Sequence, residues 1–116
     1  MTYCILGHCN DTGQTGIGYT TVTLAGGGTS PFYSYAGDIV VVQAYGNIRT
    51  AIAGARALDA GDSPDKAIAV MAAADSALEH RQIGIMCRDG RMAARTGADA
   101  RPFAGHQLGD DFVAMG

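Results

Sequence analysis

The order of the predicted elements limits the fold of this chain more than any other feature of its sequence. Strand-like segments come first, two consecutive helices follow, and strand-like segments then return. Apolar residues recur at helical spacing over residues 48–58 and again over residues 67–78. Neighbouring helices between two groups of strands are typical of an α+β fold, in which the helices pack on one face of a sheet.

The predicted helix ends carry residues that suit them. Asn47 can cap the first helix with its side chain, and Gly61 ends that segment. Ser63 can cap the second helix, and Pro64 takes its first position.

About six segments have the apolar pattern of strands. They cover residues 3–9, 16–24, 38–44, 82–87, 91–96 and 111–116. Asp89-Gly90 predicts a hairpin turn between the fourth and fifth strands. The glycines of residues 26–28 and Ser30-Pro31 predict a loop, and His106, placed between Gly105 and Gly109, is predicted in a second loop.

This count of elements supplies too few helices for the strands. Two stacked sheets would need helices on both outer faces, and only one pair of helices is present. An apolar sheet face is not left in water at this size. We therefore expect a cover from more polypeptide or from a partner, and a homodimer that covers the face with its own copy is an alternative.

Composition excludes several classes of protein. Eight basic residues lie among eleven acidic ones with a net charge of −3, whereas a nucleic-acid-binding protein would carry a basic stripe. No apolar run reaches membrane-spanning length and no signal peptide is visible, so a cytoplasmic protein without a membrane or nucleic-acid partner is expected. Cys4, Cys9 and Cys87 suggest neither a disulfide framework nor a zinc site, and Cys9 and Cys87 are expected in the core. No metal or organic cofactor is expected.

Several motifs together resemble the DUF1028 family, whose uncharacterised members are assigned to the Ntn-hydrolase superfamily (hydrolases with an N-terminal nucleophile). The motifs are Met1-Thr2-Tyr3-x-Ile5, Gln43-Ala44-x-x-Asn47, His80-Arg81-Gln82-x-Gly84, Asp89-Gly90-Arg91, Thr96-Gly97, Ala104-Gly105-His106 and Gly109. Family members are typically about twice as long as this chain, a length that still falls within the usual range for a domain. The resemblance implies an Ntn-hydrolase-like αββα sandwich, of which residues 1–116, as a single domain, supply the N-terminal half and a companion chain the rest.

The resemblance also implies where an active site would lie. In Ntn hydrolases it lies at the start of the first strand, beside the end of the second strand and the turn into the first helix. These places correspond to Thr2 and Cys4, to Thr20 with the adjacent Thr21, and to Gly46 and Asn47. A helix start offers free N–H groups to an oxyanion, although Asn47 alone could equally be only a cap.

The nucleophile has more than one candidate. Removal of Met1 would leave Thr2 as an N-terminal threonine, but a retained Met1 blocks its amine. Cys4 stands where members more often carry Ser, so it is either a thiol nucleophile or a buried small residue. The resemblance therefore favours a nucleophile at the start of the companion chain, released by autoproteolysis after Gly116; a chain boundary of other origin is the alternative.

Other polar residues have weaker assignments. His106 has no evident local structural role and is a catalytic candidate, although a loop histidine bonded to backbone is commoner. Gln43 could donate to a substrate carbonyl. Arg81 and Arg101 could bind a substrate carboxylate, or they could be solvated surface residues.

The resemblance implies a hydrolase subunit that cleaves a non-peptide C–N bond of a small amide, imide or lactam, as part of a hetero-oligomer or higher assembly. The reaction type depends on the analogy of folds. A binding or scaffold module of the same fold without a nucleophile is the alternative.

Overall fold

The computed structural model describes all residues from Met1 to Gly116. Its strands and helices are, in chain order, β1 (Thr2–Cys9), β2 (Gln14–Thr21), β3 (Pro31–Tyr33), β4 (Ile39–Ala44), α1 (Ile48–Asp59), α2 (Pro64–Ala74), β5 (Arg81–Met86), β6 (Met92–Thr96), β7 (His106–Leu108) and β8 (Phe112–Met115). Short 3₁₀ turns lie at Gly26–Gly28 and Leu78–His80.

The strands form two antiparallel four-stranded sheets. Sheet 1 has the order β2-β1-β8-β7, and sheet 2 has the order β3-β4-β5-β6. In sheet 1 the ladder places Cys4 opposite Tyr19 on one side and opposite Met115 on the other. The predicted α+β class is confirmed.

Alternation along β4 separates two cores. Ile39 and Val41 belong to the core between the two sheets, with Leu6 and Val113 from sheet 1. Val40 and Val42 belong to the core between sheet 2 and the helices. The prediction that this strand is covered on both faces is therefore confirmed.

One glycine allows the two sheets to approach closely. A Cβ on Gly84 in β5 would lie 2.6 Å from the terminal methyl carbon of Met115 and 3.3 Å from a methyl carbon of Leu6. A side chain there would have to displace the ends of the Met115 and Leu6 side chains, because core atoms pack at van der Waals distance.

Both helices begin as their sequences predict. The Asn47 side chain accepts a hydrogen bond from the Arg49 amide at 3.0 Å, and the Ser63 hydroxyl accepts one from the Lys66 amide at 3.3 Å. The second helix ends earlier than predicted, at Ala74, and Leu78 lies buried in the following 3₁₀ turn.

Two strands and one cysteine differ from the sequence predictions. Pro31 begins β3, an edge strand in which a missing N–H interrupts no ladder in the sheet interior. His106 lies in the edge strand β7 and not in a loop. Cys9 is exposed at the end of β1, whereas Cys4 and Cys87 are buried.

The outer face of sheet 1 has no helix against it. Tyr3 is 54% exposed, Ile5 is 50% exposed and Phe112 is 37% exposed on this face. Both helices lie on sheet 2 instead. Neither helix has the length and hydropathy that crossing a membrane requires.

Candidate functional site

Two cavities lie side by side at the end of the sandwich where β1 begins. Cavity A, of about 220 Å³, includes Thr2, Tyr19, Thr23, Ser30, Gln43 and Asn47 in its wall. Cavity B, of about 350 Å³, includes Thr2, Val22, Gln82, Arg101, Phe103 and Gly116. Thr2, Thr23 and Ala44 line both cavities and therefore mark their junction.

A pair of buried glutamines closes the core between the sheets at this end. The Gln43 Nε2 group donates to Gln82 Oε1 at 3.1 Å and to the Thr2 carbonyl at 3.4 Å. Gln43 was considered as a donor to a substrate carbonyl, but both of these hydrogen bonds are made within the chain, so it has no free donor. Its Oε1 is a buried acceptor with no partner within the chain.

The Gln82 side chain joins this pair to two other parts of the chain. Its Nε2 lies 2.9 Å from the Gly105 carbonyl, 3.1 Å from the Gly116 carbonyl and 3.2 Å from the Thr96 hydroxyl. The first two neighbours are acceptors only, so the amide orientation of Gln82 is fixed, and that of Gln43 follows from it.

Backbone strain is concentrated around the cavities. Three non-glycine residues have positive φ, namely Ala25 at 55°, Ala44 at 68° and Phe103 at 68°. Ala44 lines both cavities, Phe103 lines cavity B, and Ala25 directly precedes Gly26, which lines cavity A. Positive φ at a residue with a Cβ costs energy, and such residues cluster at functional sites.

The start of α1 contributes backbone donors to cavity A. Neither the Gly46 amide nor the Asn47 amide donates to another backbone carbonyl, and both residues line the cavity. The positive end of the helix dipole adds to these free N–H groups. The Asn47 side chain is engaged elsewhere, because its Oδ1 caps α1 and its Nδ2 donates to Asp75 at 3.1 Å.

Asp75 and Arg81 fix this helix start against β5. Arg81 Nε lies 2.5 Å from Asp75 Oδ2, and Arg81 also donates to the Tyr45 carbonyl. Asp75 additionally accepts from the Thr50 hydroxyl and from the Ala77 amide. The hydrogen bond from Arg81 is the largest cause that lowers the pKa of Asp75 far below its usual range. Arg81 is therefore a structural residue here and is not free for a substrate.

Thr2 and Cys4 occupy β1 differently. Thr2 lines both cavities, and its hydroxyl lies 2.9 Å from the Thr21 hydroxyl. Cys4 is 4% exposed in the core between the sheets, and burial raises the pKa of its thiol to about 12. A thiol with that pKa is almost entirely protonated at neutral pH, and the protonated form is a poor nucleophile.

Of the remaining site predictions, Gly46, Asn47 and Gly116 lie in cavity walls, and Thr20 and His106 do not. Thr20 is exposed opposite Tyr3 in the β1–β2 ladder, so the strand alternation points it to the outer face of sheet 1. The His106 ring is exposed on β7, with Nδ1 2.9 Å from the Thr96 hydroxyl. The chain has no group of three His, Cys, Asp or Glu side chains that could hold a metal ion.

Several cavity residues were missed by the sequence analysis. Tyr19, Thr23 and Ser30 come from segments predicted as a strand or a loop without a role. Gln82 could have been noticed, because a glutamine at the start of an apolar strand requires hydrogen-bond partners when buried.

Comparisons with known proteins identify similar chains. The family model described as a family of unknown function, DUF1028, matches residues 2–116. The crystal structure of protein SPO2555 from Silicibacter pomeroyi, also assigned to DUF1028, superimposes with a TM-score of 0.89 at 27% sequence identity. That match covers 99% of this chain and 54% of the other, so this chain spans about half the length of that relative. No curated protein matches the chain.

Proposed function

The chain belongs to the DUF1028 family, a family of unknown function, and we propose from its site that it forms half of an Ntn-type hydrolase. The proposed reaction cleaves a non-peptide C–N bond of a small amide, imide or lactam. The observation that carries this proposal is that Thr2 lines both cavities and shares the wall of cavity A with Gly46 and Asn47, whose amides have no backbone partner.

Thr2 is the nucleophile that the geometry favours within this chain. Removal of Met1 would give Thr2 a free α-amine, whose ordinary pKa of about 7.7–8.0 suits a general base near neutral pH. The amine would take the hydroxyl proton while the Thr2 oxygen forms a bond to the amide carbon. The C–N bond then breaks, the nitrogen leaves with that proton, and water hydrolyses the resulting ester.

The start of α1 supplies the electrostatic part of this reaction. The tetrahedral intermediate carries a negative oxygen, and the Gly46 and Asn47 amides are donors without backbone partners in the same cavity wall as Thr2. Preorganised donors of this kind are worth about 2.7–4 kcal/mol each in acyl transfer. The Asp75–Arg81 pair would keep this helix start in position.

A companion polypeptide completes the architecture in this proposal. The outer face of sheet 1 exposes Tyr3, Ile5 and Phe112, and the matched relative is about twice as long as this chain. We assign the uncovered face to a helical layer from the polypeptide that corresponds to the rest of that relative, which would give an αββα sandwich. The first residue of such a companion is the second possible source of the nucleophile.

Mass and activity measurements on the purified protein test this proposal. Intact mass and N-terminal sequencing show whether Met1 is removed and whether a companion beginning with Thr, Ser or Cys is present. A panel of small amides, imides and lactams is then assayed for hydrolysis with the wild type, Thr2→Ala and Thr21→Ala. Thr21→Ala is the matched control, because it removes the same hydroxyl pair and leaves the Thr2 oxygen in place.

We expect Thr2→Ala to lower kcat by on the order of 10³-fold and Thr21→Ala to change it less than about tenfold. Full activity in Thr2→Ala together with a companion that begins with Thr, Ser or Cys would move the nucleophile to that companion. No hydrolysis of the panel by the wild type would contradict the hydrolase and support a binding or scaffold module.

A further inference from the structure

Cavity B has one cationic side chain and no acidic side chain in its wall. Its twelve lining residues include six hydrophobic ones and Arg101, and none is Asp or Glu. We propose that cavity B binds a carboxylate that has an apolar body, with the carboxylate paired to Arg101.

Arg101 is free to form that pair. Arg81, Arg91 and Arg95 are paired with Asp75, Asp89 and Glu79, respectively. Arg101 makes no ion pair within the chain, although its carbonyl accepts a hydrogen bond from the Ala104 amide at 3.0 Å, which fixes the turn that carries it. A guanidinium can bind a carboxylate through two parallel hydrogen bonds.

The wall beside Arg101 suits an apolar body. Phe103 and Val22 line the same cavity and are 104% and 84% exposed, respectively. Phe103 also has a φ of 68°, a strained conformation for an aromatic residue. A ligand in the cavity would cover both side chains. The apolar surface that it removes from water favours binding by about 25 cal/mol per Å².

The size and charge of cavity B favour a carboxylate over a phosphate. A volume of about 350 Å³ lies at the lower end of the range for small-molecule sites. A phosphate group would favour several cations or a helix N-terminus, whereas this wall has a single arginine and no lysine.

The two cavities meet at Thr2, so a ligand anchored at Arg101 would extend towards that hydroxyl. If the proposed hydrolase is correct, its substrate is an amide whose apolar part ends in a carboxylate. This identification as a substrate rests on the proposed function, whereas binding of the carboxylate does not.

Equilibrium binding of small probes to the full-length protein encoded by the gene tests the inference, and this measurement does not require catalysis. Calorimetry and ¹⁵N-correlation NMR compare 3-phenylpropionate with its neutral counterpart 3-phenylpropionamide, using the wild type, Arg101→Gln and Arg49→Gln. Arg49→Gln is the matched control, because it removes the same charge from an exposed residue of α1 outside cavity B.

We expect the carboxylate to bind the wild type at least about tenfold more tightly than the amide, since one charge-assisted pair is gained. Arg101→Gln should abolish that preference and Arg49→Gln should retain it, and the shifted resonances should include those of Val22 and Phe103. Equal affinity for both probes, an unchanged preference in Arg101→Gln, or shifts confined to other residues would overturn the inference. Hydrolysis of the amide panel is scored separately, so failure of binding and failure of the proposed reaction are distinguishable.

Discussion

Gln43 donates a hydrogen bond from Nε2 to Oε1 of Gln82 at 3.1 Å, across the ladder between β4 and β5. The two side chains are 2% and 3% exposed, so this amide pair is buried where the core between the sheets ends. Through Gln82 the pair also reaches the carbonyls of Gly105 and Gly116. The pair therefore links β4 and β5 to the segment ends at Gly105 and Gly116, and it contributes Gln43 to the wall of cavity A and Gln82 to the wall of cavity B.

Replacement of this connection should destabilise the protein measurably. Gln82→Met keeps the approximate volume of the side chain but removes the oxygen that accepts a hydrogen bond from the buried Gln43 Nε2 group, while the Gly105 and Gly116 carbonyls keep the hydrogen bonds from each other's amides. A buried polar group that loses its partner costs about 1–3 kcal/mol, so we expect a loss of about that size in the free energy of unfolding, measured by urea denaturation. Gln107→Met, at an exposed position of β7, is the control and should change stability by less than about 0.5 kcal/mol. Equal stability of the two variants would contradict a structural role for the pair.

The Asp75–Arg81 pair predicts a specific dependence of stability on pH. The pKa of Asp75 is lowered in the folded protein, chiefly by Arg81, so its ionised form stabilises the fold. This contribution is complete above the unfolded pKa of about 3.9 and is lost as pH falls below it.

Asp75→Asn should therefore lower the free energy of unfolding by about 3–5 kcal/mol at pH 7, because a buried partner charge is left unpaired. Urea denaturation at pH 7 and at pH 3 should show the difference between wild type and Asp75→Asn becoming smaller at the lower pH. A difference that is constant or larger at pH 3 would show that Arg81 does not lower the Asp75 pKa.

Most of the fold could be predicted from local patterns. The caps at Asn47 and Ser63, the turn at Gly90 with a φ of 85° and the doubly covered strand β4 are all fixed by neighbouring residues. The short edge strands β3 and β7 could not be predicted, because each has only three residues and gains its strand conformation from the partner strand. A local pattern contains no information about that partner.

Less of the site could be predicted, for a different physical reason. The resemblance indicated Thr2, Gly46 and Asn47, and the structure places them in the wall of one cavity. Thr20 lies outside both cavities, because alternation along β2 points it to the opposite face of the sheet from Tyr19, which lines cavity A. Arg101 and Phe103 belong to a segment whose path depends on its packing against β5, so no local pattern revealed their cavity.

The cysteines predict a simple pattern of reactivity. Cys9 is exposed, and a hydrogen bond with Thr12 lowers the pKa of its thiol. Cys4 and Cys87 are buried, and burial raises their pKa values to about 12 and about 11. A thiol-reactive chromogenic reagent at pH 8 should label one thiol rapidly in the native protein and all three in urea. Cys9→Ser should remove the rapid phase, and rapid labelling of a second thiol would show that the core that holds Cys4 or the core that holds Cys87 opens readily.

Gly97 provides the sharpest test of how the segment that carries Arg101 is positioned. A Cβ at this residue would overlap the backbone carbonyl of Glu79, and a backbone atom cannot rotate aside as a side chain can. The Gly97 amide also donates to the Arg81 carbonyl at 2.9 Å, so the segment cannot move outward without breaking this hydrogen bond.

Gly97→Ala should therefore lower the free energy of unfolding by about 1–3 kcal/mol and shift the NMR resonances of residues 97–105. Gly16→Ala is the matched control, because a Cβ there meets no atom within 4 Å and strand interiors favour alanine over glycine by roughly 0.5–1 kcal/mol. If Gly97→Ala, like Gly16→Ala, does not lower the free energy of unfolding relative to the wild type, the close crossing of the two backbones is wrong. The placement of Arg101 in cavity B, which depends on the path of this segment, is then wrong as well.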